Sequence, residues 1–342
     1  MQQHCLECRQ TAPNQNNFCQ RAACPAEVSP WVFEPGEWIE HLEIVRVVLI
    51  GRTATIYEAH RNQTLVTLKV AHPGELFTQR LKAEAQFLRG QRKDRLIYLP
   101  LLLDPYGKQK QTLPAEDDWA YGRVAVHGTL LYFLVFAHIE GEPLRDLISK
   151  RPQLWSYHAG WIAQSMAIAL HELHQSRHLH LALSPESALV TFDRDDVPRV
   201  VLIDCGTLAV QGTPVASEML RFADMPYVAP QLRPNLVPDH NADSYSLAVL
   251  FAQMLLGQLP RTGPVQVPSM SKISALLTRA MTQKTVGVAT FNAELQQIFG
   301  AVPLPRTNRW PTGETTLIIT IVLLGLAFSV LVGLTLYNAF ML

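Results

Sequence analysis

His180 to Val190 reads H-L-A-L-S-P-E-S-A-L-V. An amphipathic helix predicted over Trp161 to His174 leads straight into it. Downstream stand Leu202-Ile203-Asp204-Cys205-Gly206, then Tyr227-Val228-Ala229-Pro230-Gln231, then Asp243-Ser-Tyr-Ser-Leu247. Upstream, Val-rich strand signals occupy Ile44 to Ile50, Ile56 to Ala59 and Leu65 to Val70, the last carrying Lys69. Glu84 follows fifteen residues after Lys69, in a stretch where Leu81, Ala85 and Leu88 recur at helical spacing. Between these groups lies Leu134 to Gly141, L-V-F-A-H-I-E-G, which reads as a strand ending at a crossing point. The order and spacing of these landmarks are far more specific than any one of them alone.

Together they resemble the protein-kinase family. The resemblance runs from about residue 38 to 300 and implies an α+β, two-lobed fold with a β-rich small lobe and a helical large lobe. In that family the loop corresponding to His180–Val190 reads H-R-D-L-K-P-E-N-I-L-V; its Asp accepts the substrate proton, its Lys steadies the γ-phosphate and its Asn holds magnesium. Those positions are here Ala182, Ser184 and Ser187. A methyl group accepts no proton, and a neutral hydroxyl is a poor ligand for a hard dication. The chain therefore resembles a catalytically degenerate member, a pseudokinase.

The glycine-rich loop departs in the same direction. Ile50-Gly51-Arg52-Thr53-Ala54-Thr55-Ile56-Tyr57 holds one glycine and is two residues short of the family's G-x-G-x-x-G-x-V-Y, so backbone amides are hindered from approaching a phosphate. Lys69, Glu84 and Asp204 nevertheless stand at the positions that in the family clamp ATP phosphates and a magnesium ion. Two readings follow: a residual nucleotide site, or an internal ion network that needs no ligand. Gln231 replaces the glutamate that ends the family's activation segment, and Met281 to Pro305 holds no arginine to pair with one. His171, His174, His178 and His180 invite a metal reading, but His174 and His180 match structural histidines of the family and no carboxylate or cysteine completes a site.

Residues 1–27 carry Cys5, Cys8, Cys19 and Cys24, with ten and four residues between the last three. Two cysteine pairs on short knuckles suit a structural zinc ion, as in a zinc ribbon, with His4 a possible substitute for one thiol. Two disulfides, disfavoured in a reducing cytosol, and a redox-active C-x-x-C are the alternatives. Residues 28–37, containing V-S-P-W-V-F-E-P, read as a linker. Residues 301–314, with Pro303, Pro305 and Pro311, read as a stiff spacer.

From Thr315 onward there is no charged side chain, and Leu317 to Leu336 is an almost unbroken apolar run of 20 residues. As a helix it would span about 30 Å, a bilayer core; the alternative is a buried core helix. A transmembrane helix over 315–338 would leave only 339–342 beyond it, and Arg306 and Arg309 would hold the N-terminal domains on the cytoplasmic side. The bacterial style of the kinase resemblance points to the plasma membrane. Gly325, Ser329 and Gly333, four apart, form a small-residue face suited to a homodimer, although such residues are common in membrane helices.

The 342 residues carry 29 basic and 29 acidic side chains, scattered without a basic stripe, so nucleic acid is not expected as a partner. The first 30 residues have no apolar core of a secretory signal. These features converge on a membrane-anchored cytoplasmic pseudokinase that docks protein partners as a signalling scaffold. The rival readings are a degenerate kinase or nucleotidyl transferase acting slowly through Lys69, Glu84 and Asp204, and a nucleotide sensor that binds ATP and magnesium without turnover.

Overall fold

The computed structural model describes residues 2–5, 11–12, 30–91, 97–107, 120–220, 223–261, 263–282 and 286–304, together with 324, 325, 329 and 332. Residues 1–302 form one compact unit and 303–342 a second.

The small lobe is an antiparallel seven-stranded sheet built on long strands, Leu42–Ile50, Ala54–Arg61, Thr64–Ala71 and Thr129–Ala137. Each predicted strand is present and runs a residue or more beyond its expected limits. Side chains alternate between sheet faces. Val66, Leu68 and Val70 meet Tyr57, Leu131, Phe133 and Val135 in an outer apolar layer. Thr67, Lys69 and Ala71, one residue out of phase, belong to the opposite face, where Ala71 joins the core shared with the large lobe. This register sends Lys69 inward, and a slip of one residue would put it in the outer layer. Lys69 lies opposite Leu134 of the neighbouring strand.

The helix Glu75–Gly90 packs its Leu81, Ala85 and Leu88 stripe into the same core, so Glu84 is buried on the side facing Lys69. The large lobe follows from Leu144 onward, with helices Leu144–Lys150, Ser156–Gln175, Asn241–Leu256, Ser271–Thr282 and Val288–Phe299. The last of these ends at Phe299, whose ring packs against Gly160 closely enough that a β-carbon there would fall 2.5 Å from it.

Of the segment 28–37, the described residues 30–37 are more than a spacer. Trp31–Val32 is a strand paired with Gln2–His4, which also pairs with Thr11–Ala12. Val32 and Phe33 are buried in the outer layer of the small lobe, and the Phe33 amide donates to the Tyr57 hydroxyl. Gln2–His4 is thus joined by strand pairing to Trp31–Val32, and Val32 and Phe33 pack on the small-lobe sheet. Cys5 is buried, while Cys8, Cys19 and Cys24 lie outside the described residues. Among the described residues no group of three or more His, Cys, Asp or Glu side chains could hold a metal ion.

Among the described residues, too, no helix is long and apolar enough to cross a membrane. The Leu317 to Leu336 run lies outside them except for Leu324, Gly325, Ser329 and Val332, all of which are helical. The Ser329 hydroxyl donates to the Gly325 carbonyl one turn earlier, and Gly333 is outside the described residues.

Candidate functional site

The cleft between the lobes collects residues from five distant points of the chain. Lys69 Nζ donates to Glu84 Oε2 at 2.6 Å, to the Ile203 carbonyl at 3.0 Å and to Asp204 Oδ1 at 3.1 Å. An ammonium has three donors, so all of them have partners within the protein. The Lys69 and Glu84 side chains are only 5% and 4% exposed. Burial works to lower the Lys69 pKa, but Asp204 and Glu84 outweigh it and hold the amine above its ordinary value. Burial likewise pushes Asp204 upward, and Lys69, Arg80 and His180 overcome it, leaving this carboxyl well below the usual range. Glu84 is raised by burial despite Lys69. The Cys205 thiol is raised by burial beside these carboxylates and is no nucleophile.

The His180–Val190 loop is held from below. Asp243, fully buried at the start of the Asn241–Leu256 helix, accepts from the His180 amide at 2.9 Å, the Leu181 amide at 2.7 Å and the His174 ring at 2.8 Å. Leu181 takes a left-handed φ of 58°, which turns the chain over the carboxylate. His180 Nδ1 accepts from the Ala182 amide, so Nε2–H donates to the Asp204 carbonyl at 2.8 Å. Gly206 closes this junction, with φ of 68° and a would-be β-carbon 2.3 Å from the His180 carbonyl. His174 and His180 are therefore structural.

Ser184 and Ser187 sit where the loop turns into its strand. The Ser187 hydroxyl accepts from the Ser184 amide at 3.1 Å, and the Ser184 hydroxyl accepts from the Glu186 amide at 3.3 Å. They cap the single turn Pro185–Ser187. Glu186 pairs with Arg145 at 2.8 Å.

The short loop above the cleft is pinned. The His72 amide donates to the Thr53 carbonyl at 3.0 Å, and its Nε2–H donates to the Gly51 carbonyl at 2.8 Å. Arg52 at the tip reaches Asp224 of the large lobe at 3.3 Å. The remaining cavity is about 40 Å³, lined by this loop and its flanking strand residues together with Lys69, Arg80, Ala182, Ser184, Glu186, Ser187, Ile203 and Asp204. That is room for about three waters, whereas ligand pockets usually measure about 300–1,000 Å³.

Burial brings His72 down to about 4 from 6.5. The unfolded chain then takes up a proton first as pH falls, so His72 contributes its full stability above pH 6.5 and loses it as pH drops toward 4. Denaturant unfolding is expected to show a decline of roughly 3 kcal/mol across this window from this group. His72→Gln should flatten that part of the profile; an unchanged slope would contradict it.

The sequence reading brought Lys69, Glu84, Asp204, Ala182, Ser184 and Ser187 to one cleft, and the structure places them there. It missed Arg80. This residue is one helical turn before Glu84, on the same face, and its position four residues earlier was the available signal. Its side chain is 5% exposed, with Nη2 at 3.9 Å from Asp204 Oδ2.

This architecture is similar to the kinase domain of PknI from Mycobacterium tuberculosis, at TM-score 0.51 and 19% identity over 78% of this chain and 99% of that one. No family model matches the chain. The sequence is similar to the probable serine/threonine-protein kinase CPE1738 of Clostridium perfringens, 25% identical over 185 residues covering 53% of this chain and 26% of that protein. It is also similar to serine/threonine-protein kinase PknL of Mycobacterium tuberculosis, 29% identical over 132 residues, 38% of this chain and 32% of that one. The matches thus span about a quarter to a third of these relatives' length. The fold is that of a protein kinase domain, and the chain is kinase-like and related to bacterial serine/threonine kinases.

A kinase fold implies magnesium and ATP here, and these residues do not fit them. Magnesium needs near-octahedral oxygen ligands, usually including one or two carboxylates. Asp204 is already engaged by Lys69 and approached by Arg80, and position 187 offers a hydroxyl that accepts an amide proton. Lys69 has no donor left for a phosphate.

Proposed function

We propose that the chain is a pseudokinase, a kinase fold that docks protein partners at a membrane and transfers no phosphoryl group. The observation carrying this reading is the triple replacement at Ala182, Ser184 and Ser187 within a loop still held in place by Asp243 and His180. A damaged enzyme would be expected to lose that support together with its catalytic groups. Here the support is retained, which favours selection for a shape. The expected test outcome is no transfer of label from ATP to the chain itself or to a generic Ser/Thr substrate, with magnesium or manganese present. Transfer at ordinary kinase rates that Lys69→Met abolishes would overturn the reading.

The apolar run Leu317 to Leu336 would anchor this domain, and Arg306 and Arg309 would keep it on the cytoplasmic side, at the plasma membrane of a bacterium. Confinement near the bilayer raises effective concentration for membrane-bound partners without a new contact. The helical Gly325 and Ser329 support a small-residue face that, with Gly333, would pair two copies.

Cys5, Cys8, Cys19 and Cys24 would hold one structural zinc ion per chain, and the burial of Cys5 supports this. Elemental analysis of chelator-free protein should find one equivalent, lost in a Cys8→Ser, Cys19→Ser variant. Zinc-free protein of full stability would count against it.

A further inference from the structure

The helix Ser156–Gln175 opens on two aromatic side chains that face solvent. Trp155 is 57% exposed and Tyr157 40%, and their rings stack with centroids 4.9 Å apart and 29° between planes. Both are held from beneath. The amide of the buried Leu154 donates to the Met254 carbonyl at 2.9 Å, which fixes the chain just before Trp155. The Trp155 ring meets the buried His158 edge-on at 4.9 Å, and Tyr157 meets Phe299 edge-on at 5.5 Å. Single exposed apolar side chains are ordinary on a protein surface, but these two form one fixed, outward patch.

The place where the chain leaves the domain names the occupant. Phe299, the neighbour of Tyr157, ends the last helix; the next carbonyl, of Gly300, accepts from Gln164 Nε2 at 3.0 Å, and the compact unit ends at Val302. Only residues 303–316 then precede the apolar run that begins at Leu317, about 40 Å if extended in polyproline form. The patch therefore stands at the root of the tether. Trp and Tyr, apolar rings with one polar tip, are the side chains that settle at a lipid–water interface. Arg151, exposed just before them, suits headgroup phosphates, while the exposed Asp196 reaches the same cluster at 3.2 Å from His158 Nε2. The rings, not net charge, thus supply the attraction. Two rings alone would hold a bilayer weakly, but a short tether makes the contact intramolecular, at an effective concentration on the order of millimolar. We propose that Trp155 and Tyr157 rest in the lipid–water interface of the bilayer that holds the chain, so that this face of the large lobe lies on the membrane. This rests on reading Leu317 to Leu336 as the anchor and adds which face of the domain the bilayer covers.

The test is hydroxyl-radical oxidation of the full chain reconstituted in vesicles of phosphatidylethanolamine and phosphatidylglycerol, read by mass spectrometry at each residue. Trp38 of the small lobe is the internal reference, because its 59% exposure matches that of Trp155. Trp155 should be oxidised at least about threefold more slowly than Trp38, the ratio for a patch docked about two-thirds of the time. Lipids brominated near the headgroup should also quench a component of the tryptophan emission that Trp155→Phe lacks, which separates cover by lipid from cover by the chain itself. Equal oxidation of the two tryptophans, or equal quenching of the two proteins, would overturn the proposal. Protection lost when lipid is raised until most vesicles hold a single chain would assign the patch to a second copy and overturn it too. A chain that fails to float with the vesicles would overturn the anchor and the docking together, whereas a floating chain with Trp155 unprotected would overturn the docking alone.

Discussion

Glu84→Ala is expected to destabilise the protein by about 3–5 kcal/mol, the range for removing one partner from a buried ion pair. The pair Lys69–Glu84 is shielded from solvent on both sides, at 5% and 4% exposure, so screening does not discount the effect as it would on the surface. Glu84 also balances a local group of two cations and two carboxylates, and its loss leaves one net positive charge. Lys69 then depends on Asp204 and the Ile203 carbonyl alone. Thermal unfolding should fall by roughly 10 °C for a chain of this size. A stability change below about 1 kcal/mol would mean that the network is not what joins helix to sheet.

The prediction ties the two readings of this cleft to one measurement of structure. If the charged group serves the fold, its cost appears in stability with no ligand present. A nucleotide role would add a loss of affinity to that cost. The geometry favours the first, since every donor of Lys69 is occupied within the protein.

Much of this was readable beforehand. Alternation of apolar residues marked the strand carrying Lys69, and helical spacing marked the stripe beside Glu84, because each period reports which face a core covers. Asp204, in a loop, and Asp243, at the start of a helix, were placed by the kinase resemblance, not by periodicity. What escaped were contacts between segments remote in sequence. His72 shows no local pattern, and only folding reveals that its ring reaches Gly51. Arginine is rarely buried, and the inward orientation of Arg80 follows from the face it shares with Glu84. The stretch around Trp31 read as a linker because of its prolines, yet it forms a strand by pairing with Gln2 and Gln3, and Phe33 is buried in the outer layer of the small lobe.

The same contacts explain why shortening the glycine loop matters. Two hydrogen bonds to His72 and the Arg52–Asp224 pair hold the loop down over the cleft. The Arg52 side chain is 42% exposed, so that ion pair positions more than it stabilises. The space beneath a loop so held is a few waters wide.

The most direct measurement is single-turnover phosphoryl transfer, with the full chain in excess over γ-labelled ATP and magnesium, followed over hours. General-base assistance is worth about 10²–10⁴ in rate, and Ala182 has none to offer; Ser187 and the pre-neutralised Asp204 remove metal assistance as well. The account predicts no label on the chain or on an added Ser/Thr peptide above the level seen with protein unfolded by heat. Label accumulating to a stoichiometric plateau, dependent on magnesium and lost in Lys69→Met, would contradict it.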